Sequence, residues 1–372
     1  MEEWRIAAEA TLSAHWGAPV ACEVVKTLRE PGRNRVFRIA VAGGPVESVI
    51  LKACVGDEAK PYVRGDPSPD GAFQRLCNEW AGAAVLGPLG LGPELCAADP
   101  ERGCCIVADL GDGETLADRL TADDAASATA ALMAYARSLA DMHAATRGMA
   151  SRWASLLAER GAHGQGGGPG QTPWRFAAPV CVQLAADLGF APPAGLERDL
   201  AMVCEAMDDP GDYLAFTPAD CCPDNHFLRG ERVIFFDCER AQMRHALLDA
   251  AYCLAPYPTC WCCSALPGDL PERLVAAYRE GFAGGADFDD QLTLALAAWL
   301  AARVSVGWLA ADAPWGLSTI RQRALELIRR LLARPNLTAL APGLAVFAAE
   351  LDQRLSARWS DFEPMPLYPA FA

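Results

Sequence analysis

Residues 218–239 read PADCCPDNHFLRGERVIFFDCE, and three of their side chains could bind a hard metal ion together. Asp220 and Asn225 lie in a loop that also holds two prolines, and Asp237 follows the apolar run VIFF. Carboxylate and amide oxygens suit Mg²⁺, which takes few protein ligands and completes its shell with phosphate and water. A proton-accepting carboxylate, a metal-binding amide and a metal-binding carboxylate follow in this order in phosphoryl-transfer sites. The spacing therefore predicts phosphoryl-transfer chemistry at Asp220, Asn225 and Asp237.

The cysteines of the same segment offer two other kinds of chemistry, which the spacing does not favour. Cys221 and Cys222 are adjacent, whereas the paired ligands of a zinc ion are usually separated by about two to four residues. Cys260 and Cys263 have a suitable gap, but no second CxxC or HxxxH pair completes four ligands. Nothing in the sequence pairs a particular cysteine with a base, as catalysis by a thiolate requires. We therefore interpret the cysteines as bystanders in a loop built around the acids.

A second pair of charged residues lies in apolar surroundings nearer the start of the chain. Lys52 stands inside the strand-like segment SVILKA, where burial of a lone ammonium group would be costly. Glu79 lies in the next helical segment and could pair with Lys52, with Glu58 and Glu101 as alternative partners. In phosphoryl-transfer sites a strand lysine paired with a helix glutamate holds nucleotide phosphates. We predict that role for Lys52, the alternative being an edge-strand lysine that faces water.

The elements that must position these residues divide the chain into a β-rich first part and a helical second part. The first part has short runs rich in β-branched residues, separated by Pro-Gly or Gly-Gly-Pro breaks, and these runs predict antiparallel strands. A cleft between two such parts is a natural ligand site. The predicted elements are a helix over 2–15, strands over 22–28, 34–43 and 48–56, a helix over 71–86, a strand over 103–111, and strand-like pieces at 213–220 and 231–239 among later helices.

These residues and motifs resemble the aminoglycoside phosphotransferase and choline kinase superfamily, the small-molecule branch of the protein-kinase-like fold. The match extends over about residues 22–252, and the later helices agree in character. The family motifs are matched as follows: G-x-N-x-x-F-R-I by residues 32–39, the E-D-L-G hinge by 108–111, a helix ending in Leu-His by 142–143, the loop H-G-D-x-H-P-x-N by 218–225, I-D-W-E by 236–239 and D-L-A by 249–251.

The chain departs from this family pattern at the hinge and in the loop. Ala108 stands where the hinge has a glutamate, and Pro218 and Ala219 stand where the loop has histidine and glycine. Cys222 replaces a second loop histidine. The replaced histidines mainly shape the loop, while every group that the chemistry needs is present. We therefore expect an active enzyme.

The resemblance implies an α+β, bilobal protein-kinase-like fold. A small antiparallel β-rich N-lobe would cover residues 1–108 and bind the nucleotide, and a larger, mainly helical C-lobe would cover residues 109–372. ATP or GTP would lie in the cleft, with Mg²⁺ as the second cofactor. The implied roles are adenine binding by the backbone near Ala108 and Leu110, phosphate binding by Lys52 oriented by Glu79, Mg²⁺ binding by Asn225 and Asp237, and acceptance of the hydroxyl proton by Asp220.

The acceptor implied by the resemblance is a hydroxyl group of a small molecule, and acids on the helical lobe could receive a cationic amine. Amino sugars, sugars, amino alcohols and antibiotics stay open as acceptors, as does a serine or threonine of a peptide. Two other classes of protein also stay open, a nucleotide-binding pseudokinase scaffold and a thiol-rich structural or binding protein. The acids considered for a cationic amine are Glu239, Asp249, Glu280, Asp287 and Asp289.

Composition narrows the class of protein further. A net charge of −15 and a pI near 4.8 argue against nucleic-acid binding. The start, MEEWRIAAEA, lacks the features of a secretory signal, so we expect a cytoplasmic protein whose 15 cysteines are mostly free thiols. The apolar stretch 292–311 predicts a buried helix rather than a membrane span, because Arg303 lies in its middle. The glycine-rich stretch 161–173 lacks the strand and Lys-Ser/Thr of a phosphate-binding loop and predicts a flexible insertion.

Overall fold

The computed structural model describes residues 1–58, 60–162, 173–310, 312–359, 361 and 363–372. It confirms the α+β class, with a β-rich first part followed by a larger helical part. The glycine-rich stretch lies largely outside the described residues, and the placement of a domain boundary after residue 108 stays a prediction. The elements of the first part are α1 (Glu2–Trp16), β1 (Ala21–Arg29), β2 (Asn34–Ala42), β3 (Ser48–Cys54), α2 (Ala72–Leu86), β4 (Leu95–Asp99) and β5 (Cys104–Ala108).

The strands of the first part form one antiparallel sheet in the order β1-β2-β3-β5-β4. The predicted strands correspond to β1, β2, β3 and β5, but β4 was not predicted. Its sequence, LCAAD, has neither β-branched nor aromatic residues, and one of its five side chains is buried. Pairing with β5 therefore decides its conformation, because its own residues carry little strand preference.

The sheet buries its two faces against different helices, and this fixes the direction of Lys52. On one face, Trp4 and Leu12 of α1 share a core with Leu51 and Ala53 of β3. Successive strand residues point to opposite faces, so Lys52 points away from α1, toward α2 and the helical part. An apolar strand thus carries one ammonium group into the region between the two parts of the chain.

The second part is built around α4 (Ala125–Thr146), whose buried face carries Leu132, Tyr135 and Leu139. His143 of this helix makes a hydrogen bond of 2.8 Å between its Nδ1 and the Tyr278 hydroxyl group. The other helices are α3 (Leu116–Thr121), α5 (Ala150–Glu159), α6 (Ala177–Asp187), α7 (Leu196–Asp208), α8 (Leu247–Ala250), α9 (Leu270–Phe282), α10 (Phe288–Arg303), α11 (Ile320–Leu332), α12 (Leu337–Leu340) and α13 (Pro342–Arg358).

The stretch 292–311 contributes most of α10, whose inner residues are buried as predicted. The helix ends at Arg303, and a short 3₁₀ turn, Val306–Leu309, follows. Across the described ranges, no helix is both long and apolar enough to cross a membrane.

Six short strands in the second part form three antiparallel pairs, β6 with β9, β7 with β8 and β10 with β11. Of these, the sequence predicted β6 and β8 and missed the other four, because HFLR and QMRH contain no β-branched residue and the last two strands are dipeptides. The strands are β6 (Leu214–Thr217), β7 (His226–Arg229), β8 (Arg232–Phe235), β9 (Gln242–His245), β10 (Pro314–Trp315) and β11 (Ser318–Thr319).

His226 makes the stability of this part sensitive to acid. The ring is 1% exposed, lies 4.7 Å from the Tyr135 ring between centroids, and has no hydrogen-bond partner at either nitrogen among the described residues. Burial lowers the pKa of His226 to about 3. In the unfolded state a histidine has a pKa of about 6.5 and is protonated below that pH, whereas in the folded state His226 stays neutral. The unfolded state therefore binds one more proton, and the free energy of unfolding falls as the pH drops below about 6.5. We expect a loss of about 2 kcal/mol from this group between pH 7 and pH 5.

Urea unfolding of the wild type and a His226→Phe variant at pH 7 and pH 5 measures this contribution. Phenylalanine keeps the contacts with Tyr135 and Phe235 but cannot bind a proton. The wild type should therefore lose about 2 kcal/mol more than the variant over this interval. Equal losses in the two proteins would show that His226 is not the responsible group.

Candidate active site

Lys52 lies between the carboxylates of Glu79, which is buried, and Asp237, which is half-buried. Its Nζ is 2.8 Å from Oε2 of Glu79 on α2 and also contacts Oδ1 of Asp237, which follows β8. Burial alone would lower the pKa of Lys52, but the charges of Asp237 and Glu79 raise it well above its ordinary value. Burial raises the pKa of Glu79, whereas Lys52 holds that of Asp237 below its usual range despite burial. The structure thus joins three residues that the sequence predicted for one site, and it selects Glu79 over the alternative partners.

A cavity of about 420 Å³ opens beside this cluster, between the sheet and the helical part. Its size lies within the range of about 300–1,000 Å³ that is typical of small-molecule and cofactor sites. Its walls include the predicted Lys52, Glu79, Ala108, Leu110, Asn225 and Asp237, together with the apolar side chains of Leu28, Val36, Ile50, Val107 and Phe227.

The segment that follows β5 is fixed by Asp109. The Ser48 hydroxyl group and the Gly111 N–H donate hydrogen bonds of 2.6 and 2.8 Å to its carboxylate. The Ala108 N–H is already donated to the Glu94 carbonyl group, whereas the Leu110 N–H makes no hydrogen bond with any described residue. Of the two positions predicted to bind a base through the backbone, Leu110 therefore offers a donor and Ala108 does not.

The loop that carries Asp220 begins where β6 ends and turns sharply at Ala219. Ala219 has φ 58°, in the left-handed region that favours glycine, the residue that the resembled motif has there. The Asp220 carbonyl accepts a hydrogen bond of 3.3 Å from Asn225 Nδ2, which leaves the Asn225 Oδ1 as the acceptor end of the amide. Burial and the charge of Asp237 raise the pKa of Asp220, which suits a group that must accept a proton.

The register of the β7–β8 hairpin brings Asn225 next to Asp237. His226 pairs with Phe235, and the Phe236 N–H donates to the Asn225 carbonyl group at 3.2 Å. Asp237 follows at once, with φ 66°, a backbone conformation that aspartate tolerates better than most residues. An amide oxygen and a carboxylate at the mouth of one cavity are a donor set that fits Mg²⁺ with its remaining positions left for phosphate and water.

A second cavity, of about 410 Å³, lies on the other side of the Asp220 loop, and we call it the arginine cavity. Asp220 lines this cavity and not the first, so the loop separates the two spaces. Four arginines line it, and the sequence assigned none of them to a site. The sequence offered little indication of such a site, because the only pattern is a short alternation of polar residues at Arg240, Gln242 and Arg244. The residues that line it include Arg33, Trp174, Ala219, Asp220, Arg240, Gln242, Arg244, Tyr252, Thr259, Trp299 and Arg303.

None of the five acids considered for a cationic amine lines the arginine cavity. Glu239 is 3% exposed and forms an ion pair with Arg33, and its Oε2 accepts a hydrogen bond from Asn34. Asp249 is fully buried and forms an ion pair with Arg244. The expectation that these two carboxylates receive a cation is therefore wrong, because neighbouring arginines already neutralise them.

The remaining three acids lie elsewhere on the protein. Asp287 accepts a hydrogen bond from Tyr213, Asp289 forms an ion pair with Arg279, and Glu280 is exposed. These contacts belong to α9, α10 and the strand β6 region rather than to the Asp220 loop.

Three sulfur atoms meet beside the same loop, which the sequence did not predict. Cys222 and Cys260 form a disulfide, and the Cys262 Sγ lies 3.4 Å from that of Cys260. Trp261 adds a hydrogen bond of 3.1 Å from its Nε1 to Asp224. Cys222 and Cys260 are therefore not free thiols, whereas the other thirteen cysteines are, in line with the expectation of mostly free thiols. The partners are separated by 38 residues, so no local spacing could have indicated the pairing.

A scan against protein-family models finds no match, and neither does a search of curated proteins. Solved structures that align with the chain include a choline kinase from Cryptosporidium parvum Iowa II, at 10% identity, with 91% of this chain and 90% of that chain covered and a TM-score of 0.46. A choline/ethanolamine kinase family protein from Mesorhizobium loti aligns at 17% identity, with 93% and 99% covered and a TM-score of 0.46. An aminoglycoside phosphotransferase from Alicyclobacillus acidocaldarius aligns at 14% identity, with 90% and 93% covered and a TM-score of 0.43. These proteins are kinases and phosphotransferases, the kind of protein that the motifs resemble.

Proposed function

We propose that this chain is a phosphotransferase that uses ATP or GTP with Mg²⁺ to phosphorylate a hydroxyl group of a small molecule. One observation carries the proposal: Lys52, Glu79 and Asp237 form a buried charged cluster at a cavity that Asn225 also lines. Asp220 lies on the adjoining loop and lines a separate cavity. Asp220 thus stands on the loop between the two spaces, where a base that takes the acceptor's proton during transfer has to lie.

On the nucleotide side, each residue has a distinct task. Apolar side chains around Ile50 and Val107 would contact the base, and the Leu110 N–H would donate to it. The Lys52 ammonium group would bind phosphate oxygens, and Glu79 would hold it in place. Asn225 and Asp237 would hold Mg²⁺, which would neutralise charge on the phosphoryl group in transfer. Asp237 contacts Lys52 in the structure, so that contact would be shared with the ion.

On the acceptor side, Asp220 would orient the hydroxyl group and accept its proton. The acceptor oxygen forms a bond to the terminal phosphorus as the bond to the leaving diphosphate breaks, and the proton goes to an Asp220 carboxylate oxygen. Burial and Asp237 raise the pKa of Asp220 and make it a better proton acceptor than an exposed aspartate. Position and electrostatics provide most of the rate enhancement in such chemistry.

Three rival functions differ from this proposal in what they require. A peptide acceptor needs an open groove, whereas the arginine cavity is a space of about 410 Å³, which supports a small acceptor. A nucleotide-binding scaffold without transfer needs no base, and the presence of Asp220 beside the cluster argues against it. A thiol-rich binding protein would have no reason to bury Lys52 with two carboxylates.

Thermal melting of the wild type with ATP or GTP, with and without Mg²⁺, tests the nucleotide site directly. A ligand that binds only the folded state stabilises that state and so raises the melting temperature. At a ligand concentration of 100 times its Kd, the stabilisation is about 3 kcal/mol. We expect a rise with the nucleotide that is much larger when Mg²⁺ is present. Absence of any rise at millimolar concentrations of both nucleotides would contradict the proposal.

A further inference from the structure

The arginine cavity has the opposite charge to the protein as a whole. The chain carries 47 acidic and 32 basic residues, yet of the residues that the structure describes, four arginines and a single acid, Asp220, line this cavity. Buried charges are normally paired, and clefts with one sign of charge attract ligands of the other sign. The positive charge of this space, next to the predicted base, therefore indicates the charge of the acceptor.

Two of the four arginines have partners within the protein, and two do not. Arg33 and Arg244 form ion pairs with Glu239 and Asp249, which are both buried. The guanidinium groups of Arg240, which is half-buried, and Arg303, which is exposed, form no ion pair or hydrogen bond with any residue of the described ranges, although Arg240 is near enough to Asp220 for the two charges to interact. The guanidinium groups around the cavity therefore outnumber the carboxylates, Asp220 included, and the excess charge is positive.

Buried hydrogen-bond donors at this cavity also lack acceptors. Gln242 is 6% exposed, and its side-chain nitrogen has no hydrogen-bond partner among the described residues. Arg244, with 10% of its side chain exposed, has the same deficit at Nε. An unpaired buried donor costs about 1–3 kcal/mol, and a ligand with acceptor oxygens would remove that cost. Both unpaired groups call for acceptors, not for further donors.

These observations argue against an ammonium group as the ligand. A cation in the cavity would meet the charges of Arg240 and Arg303, and Asp220 is the one carboxylate among the described residues that lines the space. Aromatic rings of Trp174, Tyr252 and Trp299 also line the space and suit the apolar face of a sugar or a ring. An anionic group, in contrast, would pair with arginine, whose planar donors match carboxylate and phosphate oxygens.

We propose that the acceptor is an anionic hydroxylated small molecule, whose carboxylate or phosphate group is bound by Arg240, Arg244 and Arg303 and whose hydroxyl group faces Asp220. This assignment rests on the proposed function and adds the substrate class to it. The arginines would hold the anion, the hydroxyl oxygen would form the new bond to phosphorus, and its proton would go to Asp220. The nucleoside diphosphate would leave with the electrons of the broken bond.

Melting temperatures without nucleotide test the binding step on matched compounds. The probes are glycerol 3-phosphate, glycerate, glycerol and choline, together with inorganic phosphate. We expect the anions to raise the melting temperature and glycerol and choline to leave it unchanged. The two organic anions distinguish phosphate from carboxylate recognition. A rise with choline but not with the anions would overturn the assignment.

Arginine variants then show whether the anion is bound in this cavity. Arg240→Gln and Arg303→Gln should each weaken the binding of the effective anion at least tenfold, since each removes a charge-assisted hydrogen bond. Arg358→Gln is the matched control, because Arg358 is exposed at the end of α13 and does not line the cavity. Equal anion binding by all variants would place the anion elsewhere, for example at Lys52, and would overturn the assignment.

The response to Mg²⁺ and ATP separates this inference from the proposed function. If the nucleotide raises the melting temperature and the anions do not, the phosphotransferase proposal survives and the anionic acceptor is wrong. If the anions bind and the nucleotide does not, the cavity binds anions but the acceptor role fails. If both bind, transfer to an anionic hydroxyl compound should fall at least tenfold in kcat/KM in Arg240→Gln, while nucleotide binding persists.

Discussion

Asp237→Ala is expected to abolish phosphoryl transfer, with a fall in turnover of about a thousandfold or more. The substitution removes both a predicted Mg²⁺ ligand and the carboxylate that contacts Lys52. Turnover is measured as hydrolysis of ATP with Mg²⁺, and as transfer to whichever acceptor the binding panel identifies. The Mg²⁺-dependent rise in melting temperature should also be lost. If the alanine variant does not fold, Asp237→Asn replaces it in this test. Asparagine has a side chain of the same size as aspartate and also tolerates a backbone φ of 66°.

Cys222→Ala is the matched control for Asp237→Ala. Cys222 lies on the same loop, between Asp220 and Asn225, and in the structure it is bonded to Cys260. In a reducing buffer the sulfur has no predicted part in the chemistry, so the variant should keep most of the turnover. Comparable losses in the two variants would contradict the assignment of metal binding to Asp237 and would point to the sulfur cluster instead.

The parts of the site that the sequence predicts well are those with a strong local signal. Lys52 is conspicuous because it interrupts an apolar strand, and Asp237 because it ends one. The chain has three lysines among its 32 basic residues, at positions 26, 52 and 60, so a lysine in that strand is also unusual for this composition. Burial of a charge is costly, which is why charged residues inside apolar runs predict partners and ligands.

The arginine cavity could not be predicted, because packing and not spacing brings its residues together. Arg33 precedes β2, Arg240 and Arg244 flank the start of β9, and Arg303 ends α10. Their proximity depends on how α10 packs against α8 and the 3₁₀ turn Pro173–Phe176, which no local pattern encodes. Glu239 illustrates the same limit. Close to Asp237 in sequence it was a candidate for ligand binding, yet it lies in the turn between β8 and β9 and contacts Arg33 and Asn34.

Lys52→Met should destabilise the protein by about 3–5 kcal/mol and remove nucleotide binding. We expect this loss of stability because the substitution leaves the buried Glu79 and the half-buried Asp237 without the cation that they share. The variant Lys52→Arg keeps a positive charge and should restore much of the stability. It should not restore turnover, because the planar guanidinium group is no substitute for the compact ammonium group. Lys26→Met is the matched control, since Lys26 is exposed on β1.

The pH dependence of Lys52→Met distinguishes the loss of this cation from simple repacking. Burial raises the pKa values of Glu79 and Asp237 and the charge of Lys52 lowers them, so without Lys52 we expect both pKa values to lie above their unfolded values. An acid whose folded pKa is raised contributes stability that is present at low pH and lost as the pH rises through that pKa. The deficit of Lys52→Met relative to the wild type, measured by urea unfolding, should therefore grow by more than about 1 kcal/mol from pH 5 to pH 8. A deficit that is the same at both pH values would mean that the variant has lost packing alone and that Lys52 does not neutralise these carboxylates.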